Sequence, residues 1–328
     1  MRILVIGGTI FLGRHIVQSA VLQGHEVTIF HRGKHNPHLF PTVRKIKGDR
    51  KKDLSQLDEK WDTLIDTCGY FPKDVRITAS LMADRIKNYV FVSTLSIYRD
   101  FQKEKISETY PAKKISNPDV KKIDGHTYGP LKYLCEEEIK RFFPSRALII
   151  RPGLIVGPYD PSHRFTYWPF RLDRGGNMVV PGSPQYPLQY IDVRDLAKWI
   201  IRMIEIKTSG VFNAVGPENT FTMGNLITIG QKSLNRNVHP VWVKDSILLE
   251  NEIVPWTDFP LWIPHSEEMK GFHRIDNSKA IENGLIFTDP EKTMQDTLEW
   301  FKQGFSASVF TKQLKIEKKV LSLLDKLD

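Results

Sequence analysis

Cysteine is nearly absent: of 328 residues only Cys68 and Cys135 are cysteines, and they show no CxxC spacing. That excludes a disulfide scaffold and a cysteine zinc site, and it fits a reducing compartment. No apolar run approaches the ~18 residues of a membrane span. The opening Met1-Arg2-Ile3-Leu4-Val5-Ile6 is too short an apolar run for a signal peptide, so a cytoplasmic protein is expected. Long basic runs are missing too, although the net charge is +9. Lys and Arg come in short scattered groups such as Arg50-Lys51-Lys52, Lys113-Lys114, Lys121-Lys122 and Lys318-Lys319. Solvated surface with some attraction for phosphorylated ligands explains that pattern better than a nucleic-acid footprint. There is no internal repeat or low-complexity tract. His31, His35 and His38 share no helix or strand face, so no metal is expected.

What is present is alternation. Strand-like runs at residues 2–6, 26–30, 63–66, 89–93 and 148–151 are separated by helical patterns such as 14–23. This rhythm predicts an α/β fold, a Rossmann-like doubly wound parallel sheet covered on both faces. Residues 101–124 are polar, Lys-rich and interrupted by Pro111 and Pro118, which reads as a loop or lid. Beyond Arg151, Pro and Gly become frequent and aromatics cluster at 165–170. The expected division is a dinucleotide-binding domain at 1–157, rejoined by 188–216. A smaller mixed α/β substrate domain takes 158–187 and 217–328. Residues 312–327 have the spacing of an amphipathic helix.

Gly7-Gly8-Thr9-Ile10-Phe11-Leu12-Gly13 follows a strand and precedes a helix. Gly7 suits a tight turn, Gly8 close backbone approach, and Gly13 close helix–strand packing, with helix N–H groups facing a pyrophosphate. Ile10 stands where a middle glycine is usual. The second strand ends in His31-Arg32-Gly33 rather than in a carboxylate, and Arg14 adds a second cation. A guanidinium grips a ribose 2′-phosphate that a carboxylate would repel, so NADP(H) is expected, with NAD(H) the alternative. Asp49 is a candidate contact to the adenine amino group. Cys68, Gly69 and Pro152 complete the candidate cofactor wall, with buried filler the other reading for Cys68.

Tyr128 and Lys132 stand four apart at the start of a helical pattern, which puts them on one face. The Lys132 ammonium is expected to lower the Tyr128 pKa toward working pH, so that the phenol can carry a proton. Thr94, just past a buried-looking strand, would bond the substrate oxygen at the carboxyl edge of the sheet. Tyr-x-x-x-Lys alone is weak; the glycine turn and the Ser93-Thr94 strand end give it meaning. In His163-Arg164-Phe165-Thr166-Tyr167-Trp168-Pro169-Phe170-Arg171, the residues Arg164, Tyr167, Trp168 and Arg171 are substrate-pocket candidates. An aromatic packing seam is the equal alternative.

Together these residues resemble the extended short-chain dehydrogenases/reductases, the NAD-dependent epimerase/dehydratase family, over nearly the whole chain. Segments 151–158 (RPGLIVGP), 190–197 (YIDVRDLA) and 276–280 (DNSKA) with Gly284-Leu285 share in it. The turn is similar to that of an atypical subgroup with a GGxxxxG pattern, whose members keep a Thr/Ser-Tyr-Lys triad and lack an upstream Asn. Asp66-Thr67-Cys68-Gly69 agrees. Descriptions in that subgroup run from isoflavone reductases to sugar dehydratases and RNA-binding proteins. Nucleotide-sugar epimerases place an Asn where Gly153 stands and an Arg where Leu188 sits, and both grip a diphosphate. Their loss argues against a nucleotide-sugar substrate, with Arg164, Arg171 or Arg174 as substitutes the alternative. The resemblance therefore implies an NADP(H)-dependent oxidoreductase or epimerase/dehydratase acting on a small hydroxyl or carbonyl compound. An RNA-binding or regulatory protein with little catalysis is the alternative. A homodimer through the Tyr128 helix stays open, since Cys135-Glu136-Glu137-Glu138 would need polar partners there.

Overall fold

The computed structural model describes residues 1–326. In chain order the first half contains β1 (Arg2–Ile6), α1 (Phe11–Leu22), β2 (Glu26–His31), β3 (Arg44–Lys47), β4 (Trp61–Asp66), α2 (Pro72–Met82), β5 (Ile86–Val92), α3 (Tyr128–Phe142) and β6 (Ala147–Pro152). Then come β7 (Leu154–Val156), α4 (Tyr167–Asp173), β8 (Gly176–Pro181), β9 (Pro187–Asp192), α5 (Val193–Glu205), β10 (Gly210–Ala214) and β11 (Gly216–Thr222). The chain closes with α6 (Met223–Ser233), β12 (Val238–Val243), α7 (Asp245–Glu250), α8 (Ser278–Glu282), α9 (Pro290–Gly304) and α10 (Thr311–Leu324).

Seven strands form one parallel sheet in the order β10-β6-β5-β4-β1-β2-β3. Alternation within a strand sorts side chains to the two faces. Ile3 and Val5 of β1 pack with Ile16, Val17 and Ile200 of α1 and α5, while Leu4 and Ile6 pack with Val75, Ala79 and Ile139 of α2 and α3. Both faces are covered, which is why β1 reads as an unbroken apolar run. The chain reverses direction across the sheet between β1 and β4, the switch point where this architecture opens a crevice at its carboxyl edge.

The observed elements differ from expectation at β3. Arg44-Lys45-Ile46-Lys47 has a single apolar residue and gave no strand signal, yet it pairs in parallel with β2 as the sheet's edge. An edge strand needs only one paired side and tolerates charges, so its pattern is polar.

The second region holds a three-stranded sheet, β11-β9-β7, and a pair, β12-β8. Its core gathers Phe165, Tyr167, Trp168, Phe259, Trp262 and Phe301. Residues around α8 do not stay with it. Ala280 and Leu285 share the core of α1, α5 and β10, and Lys279 Nζ donates to Val211 O at 2.7 Å. Residues 101–124 contain no helix or strand, but single bridges tie them down, Ile106 to Ile275 and Tyr98 to Ala112.

Candidate functional site

At the switch point lies a crevice of about 790 Å³ bounded by both regions. Its floor is the glycine turn. Gly7 N–H donates to Phe30 O at 3.0 Å, and Gly7 and Gly8 hold φ of +107° and +82°, which favours glycine. A Cβ on Gly13 would come within 2.8 Å of the Gly8 nitrogen, so the helix rests directly on the turn. No side chain caps α1 at Ile10. Its first-turn N–H groups are left to face the crevice, and the bare glycine backbone leaves room for a diphosphate. Ile10 turns outward, 44% exposed. Gly7 to Gly13, Arg32, Asp49, Cys68 and Pro152 all line the crevice.

Arg14 does not. Its guanidinium lies 3.5 Å from the centre of the Tyr159 ring, and Tyr159 in turn packs on Trp300. This corrects its expected place beside a 2′-phosphate: one helical position past Gly13 the side chain leaves the cofactor face and meets the second region. Gly69 is buried outside the lining and acts through its carbonyl, as described below.

Thr94, Tyr128 and Lys132 come together in the crevice wall from the end of β5 and the first turn of α3. Lys132 is buried, and its ammonium donates to Val92 O at 2.5 Å and to Gly69 O at 2.8 Å while lying 4.0 Å from the Phe91 ring centre. Burial pushes its pKa down to about 8. Tyr128 does not follow the expected direction. Burial raises its phenol above the ordinary value, and the neighbouring Thr94 hydroxyl and the Arg164 charge offset this only in part. The Lys132 ammonium is spent on two carbonyls, so at neutral pH Tyr128 carries its proton. Tyr70 lies beside them, its ring centre 6.5 Å from that of Tyr128, and burial with that neighbour pushes its phenol to about 12.

A buried network fixes this corner. Glu136 of α3 accepts two bonds from Arg151 of β6, at 3.0 and 2.7 Å, and one from Ser93 Oγ at 2.5 Å. Arg151 also donates to Tyr98 Oη and Glu108 O. The acid run on α3 thus finds a partner within its own chain: Glu136 ties the Ser93-Thr94 strand end to the helix that carries Tyr128. A second network uses Arg50, expected on the solvated surface. It donates to both Asp66 oxygens, at 3.0 and 2.9 Å, and to Thr78 Oγ1. Burial would raise the fully buried Asp66 carboxyl, but Arg50 outweighs it and holds the pKa low. Burial pushes the adjoining Cys68 thiol up to about 11, which keeps it unreactive.

Of the four substrate candidates only Arg164 lines the crevice. Tyr167, Trp168 and Arg171 are corrected: they sit in the core of the second region. Trp168 Nε1 donates to Pro260 O at 3.0 Å, and Arg171 pairs with the buried Glu317 at 2.6 Å. On α4 the side chains one turn beyond Arg164 point away from the opening and into the seam with α9 and α10. The crevice wall is instead completed by Phe101, Gln189, Trp256, Phe272 and His273, which no motif marked.

Residues 72–215 match the model of the NAD dependent epimerase/dehydratase family. Less than half of the chain, from the start of α2 to just past β10, thus resembles that family. The glycine turn, the parallel sheet and the matched segment together support an NAD(P)-dependent enzyme of the extended short-chain dehydrogenase/reductase type. Among similar proteins, phenylcoumaran benzylic ether reductase POP1 of Populus trichocarpa is 23% identical over 328 residues, covering 92% of this chain and 98% of that one. The chloroplast stem-loop binding protein of 41 kDa b of Arabidopsis thaliana is 23% identical over 244 residues, 66% of this chain and 58% of that protein's length. UDP-glucuronic acid 4-epimerase from Bacillus cereus, solved in complex with NAD, shares the fold with a TM-score of 0.67 at 15% identity, covering 93% of this chain and 100% of the other. No helix among the described residues is long and apolar enough to cross a membrane.

Proposed function

We propose that this protein binds NADP(H) in the crevice and interconverts a carbonyl and a hydroxyl group on a small molecule. The observation that carries this reading is the convergence of Thr94, Tyr128 and Lys132 beside the uncapped N-terminus of α1. When bound, a nicotinamide supplies or takes the hydride. The residues of the chain do the rest. Thr94 Oγ1 orients the substrate oxygen, Tyr128 Oη gives that oxygen its proton as the carbonyl is reduced and recovers it in reverse, and buried Lys132 places a positive charge behind the site. The raised Tyr128 pKa favours the proton-donating direction at neutral pH.

At the ribose end Arg32 lines the crevice in the place where an NAD site carries an acid, and this supports the preference for the 2′-phosphate. The RNA-binding alternative has behind it the dispersed surface lysines and the name of the Arabidopsis relative. Titration of the protein with NADPH and with NADH, followed by nicotinamide fluorescence, tests the reading. Tighter binding of NADPH is expected; binding of neither removes the cofactor and with it the enzymatic role.

A further inference from the structure

The far end of the crevice, away from the glycine turn, is roofed by rings. Phe101 follows β5; Trp256 and Phe272 come from the long loop between α7 and α8. Phe101 meets Phe272 at 5.0 Å between ring centres, and Phe272 meets Trp256 at 5.8 Å, both edge to face. Backbone bonds hold the two loops together, Gly271 N to Phe101 O at 2.8 Å and Lys105 N to Arg274 O at 2.6 Å. The approach is so close that a Cβ on Gly271 would lie 1.8 Å from Lys103 O. The roof is thus preformed, which lowers the ordering cost of binding a flat apolar body beneath it.

One cation serves this end. Arg164 lies 5.8 Å from the centre of the Trp256 ring, donates from Nε to Ser162 Oγ at 2.9 Å, and has no carboxylate within ion-pair distance among the described residues. Its charge reaches the Tyr128 phenol. Arg50, another guanidinium of the lining, is already neutralised by Asp66. A diphosphate would bring two charges to a single fixed cation. Nor is there room for help from Gly153, where a Cβ would meet Val215 at 2.6 Å, or from Leu188, which is buried in the second core. The other polar side chains here are Gln189, bonded to the Ile275 backbone, Asp160, whose Oδ1 accepts from Ser162 Oγ at 2.6 Å, and His273. Its Nδ1 accepts from Gln189 N–H at 3.1 Å, and its Nε2 is buried without a hydrogen-bond partner. Burial pushes this imidazole to about 4, so it stays neutral and adds no second positive charge.

We propose that the substrate is a planar ring compound carrying one acidic group, stacked beneath Phe101, Trp256 and Phe272 with its acid on Arg164 and its carbonyl or hydroxyl at Tyr128. The proposal rests on the carbonyl–hydroxyl reading of the same site and narrows it away from nucleotide-diphosphate sugars. Isothermal calorimetry on the NADPH-loaded protein tests it with three probes: phenylglyoxylate, which joins ring, ketone and carboxylate; acetophenone, which lacks the carboxylate; and UDP-glucose. Phenylglyoxylate is expected to bind more tightly than either. Arg164→Gln should weaken phenylglyoxylate at least tenfold and change acetophenone less than twofold, and Trp256→Ala should weaken both ring compounds.

Tighter binding of UDP-glucose than of phenylglyoxylate overturns the proposal, as does no binding of phenylglyoxylate or an equal effect of Arg164→Gln on both ketones. The readout is binding, so the two readings fail separately. Phenylglyoxylate bound through Arg164 but never reduced sinks the redox role and leaves the ring site standing. Turnover of UDP-glucose without ring binding does the reverse. Should NADPH not bind, the same titrations on the protein alone still decide the ring site.

Discussion

The two ends of the crevice are built by different means. At the cofactor end, one short segment of backbone does the work: seven consecutive residues make a turn, and the turn exposes the N–H groups of α1. At the other end, side chains from three distant segments meet: Phe101, Arg164, and Trp256 with Phe272. A backbone site depends on local conformation, which glycine spacing announces. A side-chain site depends on which loops touch, and here they touch through the bonds between residues 101–106 and 271–276. On the proposed reading the first end sets the class of reaction and the second selects the molecule.

The triad sits between the two ends, and breaking it should have the largest effect. Tyr128→Phe removes the proton donor and is expected to lower kcat by roughly 10²–10⁴-fold. NADPH affinity, measured by fluorescence, should stay nearly intact, because the cofactor end is made of backbone. Equal turnover in the mutant would end the proposed role of Tyr128.

Next in size is the link that holds the triad to the sheet. Glu136→Gln leaves Arg151 buried without its counter-charge, and breaking such a pair costs about 3 kcal/mol or more. The denaturation midpoint should drop, and kcat with it, since the Arg151–Glu136 pair ties α3 to β6 beside Ser93. Arg32→Ser sharpens the comparison at the cofactor end. NADPH binding is expected to weaken about tenfold, the value of a charge-assisted contact, with NADH unchanged. A parallel loss for both cofactors would show that Arg32 does not discriminate between them.

The pH dependence of stability offers a finer test. Lys132 has a pKa near 8 in the folded protein against 10.5 for a free lysine, so between those values the unfolded chain binds the extra proton. Stability from this group is therefore complete above the free lysine value and lost as pH falls through about 8. Denaturation midpoints should rise with pH across that window, and the rise should flatten in Lys132→Met. The smallest effect is expected in the aromatic seam around α4. Tyr167 Oη is buried without a hydrogen-bond partner, so Tyr167→Phe should leave both stability and KM essentially unchanged.

Sequence reading reached the sheet through its buried strands, because a strand covered on both faces must be apolar throughout, as in Ile3-Leu4-Val5-Ile6. It missed β3, whose edge position leaves its charges in water. It placed Tyr128 and Lys132 on one helix face, since four-residue spacing carries that information. It erred over cations. Arg14, Arg50 and Arg171 read as free charges, yet the first stacks on Tyr159, the second pairs with Asp66 and the third with Glu317. A guanidinium on a long stem reaches partners that local spacing does not name.

The amino-acid order by itself therefore determined the parallel α/β sheet, the dinucleotide turn and the pairing of tyrosine with lysine, because each follows from rules acting within a few residues. Tertiary structure alone decided which arginine stays available at the substrate end, which aromatics roof the crevice and which way the Tyr128 pKa moves. Those outcomes depend on burial and on contacts between segments far apart in the chain, and burial sets both the cost of a charge and the partners left to meet it.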